Sequence, residues 1–288
     1  MKLITRSKRI PAAIFNTLIK SSAAVIIIFS LTFPVSAEET FTGTGEYNLS
    51  MKEEALEWGI YTSLFAGSFY LSNREPFFSR PLISGETDRD YKKKDTVPSA
   101  WLKIWMAGTY GFIALTPNSS GYCNRVTYNN IKGFYEAASY TAFLTSLTKT
   151  AAGRKRPSYD NYPEKEKNND GRKSFISGHS STAFLIASYS SLYAAYIPGN
   201  NSRTLHIILK GIFISTSFSA AAFTAWSRVD DNRHHWSDVI AGGTAGILSA
   251  GAGFYHQNFY SGNDSRGAFI ILPMAAGEKL YLTASMKF

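Results

Sequence analysis

The hydrophobic pattern divides most of this chain into six long apolar segments separated by polar loops. The segments cover residues 53–71, 101–115, 131–149, 179–196, 205–226 and 237–256. Most of them exceed the usual length of a β-strand and repeat at helical spacing, as in Phe134, Ala138, Thr141 and Leu144. The pattern therefore predicts an all-α fold, built as a six-helix bundle.

Two of the segments carry small residues at every fourth position. The stripes comprise Ala183, Ala187, Ser191 and Ala195 in one segment, and Gly242, Gly246 and Ala250 in the other. Small side chains let helix axes approach closely, in water or in lipid. We expect both segments to pack tightly against neighbouring helices.

The C-terminal segment, residues 259–288, has a different period. An apolar run at 269–272 is followed by a break at 273–277, after which apolar residues alternate at Leu280, Leu282, Ala284, Met286 and Phe288. Alternation with period two is typical of a β-strand. The pattern predicts a possible small C-terminal β-hairpin or a docked tail.

The first 37 residues have the features of a secretory signal peptide. They hold five basic residues and no acidic one, an apolar run at 23–33, and small residues just before Glu38. An uncleaved N-terminal anchor is the alternative, and either device exports the rest of the chain to the periplasm or the cell-envelope membrane. The segment also holds much of the net charge of +9, so the charge does not indicate a nucleic-acid partner.

Composition leaves the relation to a membrane open. Segments 179–196 and 205–226 are long enough to span a bilayer, but they are rich in Ser, Thr, Ala and Gly, and the mean hydropathy of the chain is −0.12. We favour a largely water-exposed or membrane-associated bundle over six membrane spans.

Two polar clusters lie at the ends of predicted helices. Lys149 and Arg156 belong to a basic run at a helix C-terminus, and Ser177, Gly178 and His179 begin the next long helix. Taken alone, the basic run is typical of a solvated helix C-terminus. The Ser177–His179 cluster, taken alone, is typical of a helix cap. Free backbone N–H groups at a helix N-terminus also favour an anion.

A third cluster combines Ser227 and Arg228 with His234 and Asp238. His234 and Asp238 are four residues apart, so on a helix they share a face and the carboxylate accepts from an imidazole N–H. Such a pair occurs as a structural hydrogen bond, and it is also how proteins orient a nucleophilic histidine.

Taken in order, the three clusters resemble the signature of the type 2 phosphatidic acid phosphatase (PAP2) superfamily, which includes bacterial acid and lipid phosphatases. The resemblance extends over about residues 131–256, with one departure at Ile176, where the family commonly has proline. It implies the bundle shared by this family and the vanadium haloperoxidases. We divide the chain into a signal peptide (1–37), N-terminal helices and polar loops (38–130), a PAP2 catalytic core (131–258) and a tail or hairpin (259–288).

The resemblance implies a phosphatase that uses a phosphohistidine intermediate and no metal or other cofactor. His234 would be the nucleophile, Asp238 its orienting carboxylate, and His179 the acid and then the base. The phosphate-binding residues would be Lys149, Arg156, Ser177, Gly178 and Arg228. We expect Arg154 and Lys155 to face solvent or a second charge of the substrate. The charged loop at 157–173 is expected to be a mobile lid.

Other functions stay open at this point. Against a metal hydrolase, this sequence has no second ligand cluster at a familiar spacing, and the arginines near His234 would repel a cation. A vanadium-dependent haloperoxidase-like oxidoreductase shares the motifs, and a silent binding protein would lack at least one essential group. The substrate would be a phosphorylated lipid, such as a lipid phosphate or pyrophosphate, with membrane association. A small phosphoester, cleaved by a soluble non-specific periplasmic acid phosphatase, is the alternative.

Overall fold

A computed structural model describes residues 51–92, 95–118, 121–167, 170–196, 204–260, 270–276 and 279–285. The predicted signal peptide lies outside the described residues. Six long helices occur where the six apolar segments predict them: α1 Met51–Ser72, α2 Ser99–Leu115, α3 Arg125–Ala152, α4 Gly178–Tyr196, α5 Thr204–Asp230 and α6 Trp236–Tyr255. The all-α fold class is confirmed.

Helix α3 is longer than its apolar pattern because caps define both ends. Asn124 precedes it, and its side chain accepts a hydrogen bond from the Thr127 backbone N–H. At the other end Gly153 adopts a left-handed conformation, with φ of 56°, which terminates the helix four residues after Lys149. The polar first turn explains why the hydrophobic pattern alone places the start too late.

Helix α4 lies at the centre of the bundle, where it packs against α2, α3, α5 and α6. The main core cluster surrounds it and includes Phe134, Leu185, Ile186, Tyr189, Tyr193 and Phe254. Two buried tyrosines in this core donate hydrogen bonds to backbone carbonyls, from Tyr189 to Asn130 and from Tyr193 to Ile113. The core is therefore fixed by directional bonds as well as by packing.

Helices α4 and α6 approach each other backbone to backbone. A Cβ atom at Gly246 would lie 2.1 Å from the Ser181 carbonyl oxygen, and one at Gly242 would lie 2.5 Å from that of Ser177. Only glycine fits at these positions. The other stripe packs against α5, where Ala183 and Ala187 share a cluster with Phe218.

The surface carries many apolar side chains, found on α1, α2, α5, α6 and the loops. The large exposed ones include Leu56, Phe69, Phe77, Trp101, Ile104, Leu209, Ile212, Phe223, Ile240 and Leu248. Within the described residues one helix, Leu205–Asp230, is long and apolar enough to cross a membrane, and 22% of its apolar window is buried. This helix qualifies by its length and composition only, so it is a weak indication of a membrane protein.

The remaining elements are short. A 3₁₀ turn at Tyr159–Asn161 and a helical turn at Glu164–Lys167 lie between α3 and α4, and a π-helical turn at His256–Tyr260 extends α6. The C-terminal region forms an antiparallel pair, β1 Ile270–Ala276 and β2 Lys279–Ser285. This is the position where alternating residues predict the possible hairpin.

Candidate active site

The three sequence clusters meet at one end of the bundle, where α3 and α5 end and α4 and α6 begin. The Lys149 ammonium lies 3.5 Å from the point where a Cβ atom of Gly178 would be. The backbone N–H of Ser177 donates to the Asp238 carbonyl over 3.0 Å, which joins the second cluster to the third. Residues far apart in the sequence therefore share one site.

His234 is buried, with 3% of its surface exposed, and its ring has a defined orientation. Nδ1 lies 2.7 Å from the Ser174 carbonyl oxygen and 3.7 Å from Oδ2 of Asp238. Because a carbonyl only accepts, the hydrogen of the neutral ring is on Nδ1 and the lone pair of Nε2 is free. Burial, with Arg156 and Lys149 nearby, lowers the pKa of His234 to about 3.

The predicted helical pair of His234 and Asp238 is wrong in its geometry. His234 precedes α6, His235 caps this helix, and Asp238 lies in its first turn. The direct hydrogen-bond acceptor of the imidazole is thus the backbone of Ser174. This contact has no signal in the sequence.

The Asp238 carboxylate instead collects three hydrogen bonds. Oδ2 accepts from the Ser174 hydroxyl over 2.5 Å and from the His235 backbone N–H over 2.9 Å, and Oδ1 accepts from Arg154 over 2.5 Å. Burial alone raises the pKa of this carboxyl. The His234 ring, the Ser174 hydroxyl and the His235 N–H outweigh burial and lower the pKa of Asp238 to about 2.

Arg154 does not face solvent, contrary to the sequence-based expectation. Its exposed fraction is 7%, and Nη1 bonds the Ser237 hydroxyl as well as Asp238. The chain turns after Gly153, which directs this side chain inward toward the start of α6. A basic run at a helix C-terminus is usually solvated, so the sequence pattern could not reveal the buried pair.

His179 lies in the first turn of α4, with Nε2 3.3 Å from the Ser99 hydroxyl at the start of α2. Burial, Arg228 and Lys149 lower the pKa of His179 to about 4, although Asp95 opposes them. At neutral pH a pKa this low favours the neutral ring. A bound phosphate dianion would favour its protonation.

Two arginines of the site are paired with acidic residues from outside the motifs. Arg156 donates through Nε to the Asp170 backbone carbonyl, over 3.0 Å, and forms an ion pair with its carboxylate at 2.6 Å. Arg228 pairs with Asp95 and Asp231, while its Nε is buried without a hydrogen-bond partner among the described residues.

Lys149 and Ser177, which the motifs predict to bind phosphate, also lie at this end of the bundle. Burial, together with the positive charge of Arg156, lowers the pKa of Lys149 to about 8. Ser177 is fully buried, and its hydroxyl oxygen lies 3.1 Å from the hydroxyl of Ser180 in the first turn of α4.

The segment between α1 and α2 crosses this end of the bundle and was predicted only as a polar loop. We call it the strap: residues 73–98, without the undescribed 93 and 94. Backbone N–H groups of Phe77 and Leu82 donate to the last turn of α3, and Thr96 donates to the Asp231 carboxylate. Gly85 packs on Arg154 and His235, since its Cβ would lie 2.8 Å from Arg154 Nη2.

The loop at 157–173, expected to be a mobile lid, is anchored at several points. The Arg156 N–H donates to the Gly171 carbonyl, the Ser158 hydroxyl donates to Asn232, and the buried Tyr162 accepts from Arg233. Residues 168 and 169 lie outside the described part. These bonds hold the described part of the loop at Ser158, Tyr162 and Gly171, which does not fit a mobile lid.

Comparison with known proteins decides the family. The PAP2 superfamily matches residues 133–261, close to the core predicted from the motifs. Lipid phosphate phosphatase 1 of Arabidopsis thaliana is 30% identical over 229 residues, which are 71% of this chain and 67% of the relative. The chain belongs to the PAP2 superfamily. Phospholipid phosphatase 1 of Rattus norvegicus is 28% identical over 217 residues, 62% of this chain and 76% of the relative. No solved structure matches the chain significantly.

Proposed function

We propose that this PAP2-superfamily phosphatase hydrolyses lipid phosphates or lipid pyrophosphates through a phosphohistidine at His234. One observation carries the mechanism: a buried imidazole with Nδ1–H on a carbonyl and a free Nε2, beside cationic side chains. A phosphate monoester is a dianion whose transition state spreads charge over three oxygens. Fixed cations can stabilise that charge.

The cations are Lys149, Arg156 and Arg228, which approach from three separate elements. Arginine forks bind phosphate oxygens bidentately, and the lysine adds a compact charge. Backbone N–H groups at the start of α4, beside Ser177 and Gly178, extend the same anion site. Together they would do the work that a metal ion does in other phosphatases.

The reaction proceeds by two displacements at phosphorus. Nε2 of His234 forms a bond to phosphorus as the ester P–O bond breaks, and His179 gives its proton to the leaving oxygen. The resulting imidazolium keeps its Nδ1–H on Ser174, near the Asp238 carboxylate. His179 then takes a proton from water, whose oxygen attacks phosphorus, breaks the P–N bond and releases inorganic phosphate.

A lipid substrate is supported by two findings. Two of the relatives reported above are named for lipid phosphates and phospholipids. Apolar side chains are also exposed on segments that contact the catalytic end, for instance Phe77 on the strap and Trp101 at the start of α2. We further propose export to the cell envelope, with the catalytic end facing lipid at the membrane surface.

Phosphate release across a substrate panel tests the substrate class. The panel should pair phosphatidic acid, phosphatidylglycerophosphate and an isoprenyl pyrophosphate with soluble esters. We expect higher kcat/KM for the lipids, activity that persists in EDTA, and inhibition by vanadate, which fills the site as a trigonal-bipyramidal anion. A preference for soluble esters over every lipid would overturn the lipid proposal. Full activity in millimolar vanadate would overturn the proposed phosphate-binding site.

Trapping the covalent intermediate tests the mechanism. A phosphorus–nitrogen bond is labile in acid and more stable in base, so rapid quenching of a labelled reaction into alkali should leave phosphate on His234. His179→Ala should still form the adduct from a substrate with a good leaving group and break it down slowly. His234→Ala should form none. Label on His179, or turnover without His234, would reject the assignment.

A further inference from the structure

We infer that Arg154 and Ser174 are positioning residues, which act with Asp238 to hold the His234 imidazole in the orientation that leaves Nε2 free. The inference rests on the proposed role of His234 as nucleophile. Arg154 lies within the basic run of the first cluster but is not one of its two predicted phosphate-binding residues, and Ser174 lies outside all three clusters.

The three residues form a closed ring of hydrogen bonds. The Ser174 backbone N–H donates to the Arg154 carbonyl over 3.0 Å, and the Ser174 hydroxyl donates to Asp238 over 2.5 Å. Arg154 Nη1 completes the ring by donating to the other oxygen of the same carboxylate over 2.5 Å. Ser174 is therefore held through both its backbone and its side chain.

The position of Ser174 sets the orientation of the nucleophile. Its carbonyl oxygen accepts from His234 Nδ1 over 2.7 Å, whereas the nearest Asp238 oxygen is 3.7 Å away. A shift of Ser174 would release the imidazole even if Asp238 stayed in place. Arg154 and Asp238 thus act on His234 through a serine that fixes the acceptor.

Arg154 also compensates the charge of Asp238. An unpaired carboxylate close to the ring would favour the imidazolium, which has no lone pair on Nε2. Charged groups that face His234 include Lys149, Arg156, Asp170 and Asp238. With Arg154 bound to Asp238, the carboxylate can stay ionised while the ring remains neutral.

The strap shields the hydrogen bonds among Arg154, Ser174 and Asp238 from water. Gly85 packs against Arg154 and His235 so closely that a Cβ atom there would lie 2.7 Å from Cε1 of His235. Ser174 and Asp238 have no exposed surface, and Arg154 Nε has no hydrogen-bond partner among the described residues. A buried ion pair that loses one partner leaves an uncompensated charge, so a single substitution at Arg154 or Asp238 should disturb all of these hydrogen bonds.

Kinetics of Arg154→Gln and Ser174→Ala, with a small chromogenic phosphate ester, test the inference. We expect kcat to fall about 100-fold for Arg154→Gln, because a misplaced nucleophile slows the chemical step, with KM changed less than about threefold. The acid limb of the pH profile of Arg154→Gln should move to higher pH, because the uncompensated Asp238 carboxylate raises the pKa of the His234 imidazole. Arg154→Lys should retain part of the rate that Arg154→Gln loses. Methylguanidinium added to Arg154→Gln should also restore part of the rate. Neither result is expected if the loss in Arg154→Gln reflects unfolding alone.

Matched controls come from residues outside the ring. Arg125→Gln removes an arginine that pairs with Glu54 at the opposite end of α3, and Ser190→Ala removes a buried hydroxyl that bonds its own helix at Ile186. Both should retain wild-type kcat and pH profile. If Arg154→Gln and Ser174→Ala behave like these controls, the inference is overturned.

A readout independent of turnover separates this inference from the proposed function. In protein labelled with ¹⁵N-histidine, wild-type His234 should show the Nδ1–H tautomer, and both substitutions should weaken that signal or mix the tautomers. An unchanged tautomer would overturn the positioning role even if phosphohistidine is trapped. Failure to trap phosphohistidine, with the tautomer altered in the variants, would reject the proposed mechanism while supporting the positioning of His234. Arg154→Lys and Ser174→Ala keep the test decisive if Arg154→Gln does not fold.

Discussion

Arg228 of α5 and Asp95 of the strap form an ion pair, with 2.5 Å between Nη1 and Oδ1. The guanidinium is 3% exposed, whereas the carboxylate side chain is 43% exposed. The same Nη1 donates to the Val97 carbonyl, and Nη2 lies 3.3 Å from Asp231. These contacts use the outer nitrogens, so the strap orients the arginine that we propose to bind phosphate.

Asp95→Asn should leave kcat/KM within about threefold of wild type, because an amide oxygen can still accept from Arg228. Asp95→Ala should lower kcat/KM about tenfold, the effect of losing one charge-assisted hydrogen bond that orients the fork. Steady-state kinetics of the two variants make the comparison. Equal losses in both would show that the negative charge, rather than the orientation, is what matters.

Arg228→Lys should not behave as a conservative substitution. A planar fork with several donors becomes one point charge, and the contacts to Asp95 and Asp231 cannot both be kept. We expect kcat/KM to fall by more than about threefold, which corresponds to roughly 0.7 kcal/mol of transition-state stabilisation. Arg125→Lys, on the exposed ion pair with Glu54, is the matched control. A smaller change at Arg228 would mean that it does not touch the transferring group.

Activity should decline in mildly alkaline solution because Lys149 has a lowered pKa of about 8. We expect the protonated amine to be the form that binds phosphate, so kcat/KM should be highest below this pH and should decrease as pH rises through it. Profiles of kcat/KM report groups of the free enzyme and free substrate. Lys149→Arg should move this alkaline limb to higher pH even if the rate is lower. An unchanged limb in that variant would assign it to another group.

Gly246→Ala should destabilise the fold, since the new methyl group would meet the Ser181 backbone of α4. Overpacking of this kind costs about 1–3 kcal/mol. Gly211→Ala is the control: no atom lies within 4 Å of its Cβ position, so alanine should be neutral or stabilising by up to ~1 kcal/mol. Denaturant unfolding of both variants gives the two free energies. Equal stability would show that α4 and α6 can separate at little cost.

Helical periodicity was sufficient to predict the six helices, because apolar residues recur at helical spacing over segments too long to be strands. It was less informative at helix ends. The start of α3 depends on Asn124, and His234 falls outside α6 because His235 takes the cap position. A spacing of four residues predicts a shared helical face only where both residues lie in the helix.

Motif residues could be selected from the sequence because they recur in a known order, but their partners could not. Asp95 and Arg228 are 133 residues apart, and no periodic pattern links a polar loop to the helix that it contacts. Ser174 acts through its backbone carbonyl, which every residue possesses. Arg154 is one of several basic residues in a run, and only the turn after Gly153 decides which of them is buried.

The direct backbone contact between α4 and α6 limits how this site can change. Gly242 lies directly against the Ser177 carbonyl, so α4 and α6 meet at a boundary that has no side chain to shorten or lengthen. A new substrate preference is therefore easier to obtain by altering the strap, whose exposed residues tolerate exchange. Chemistry and selectivity would then be separable traits, carried by different parts of the chain.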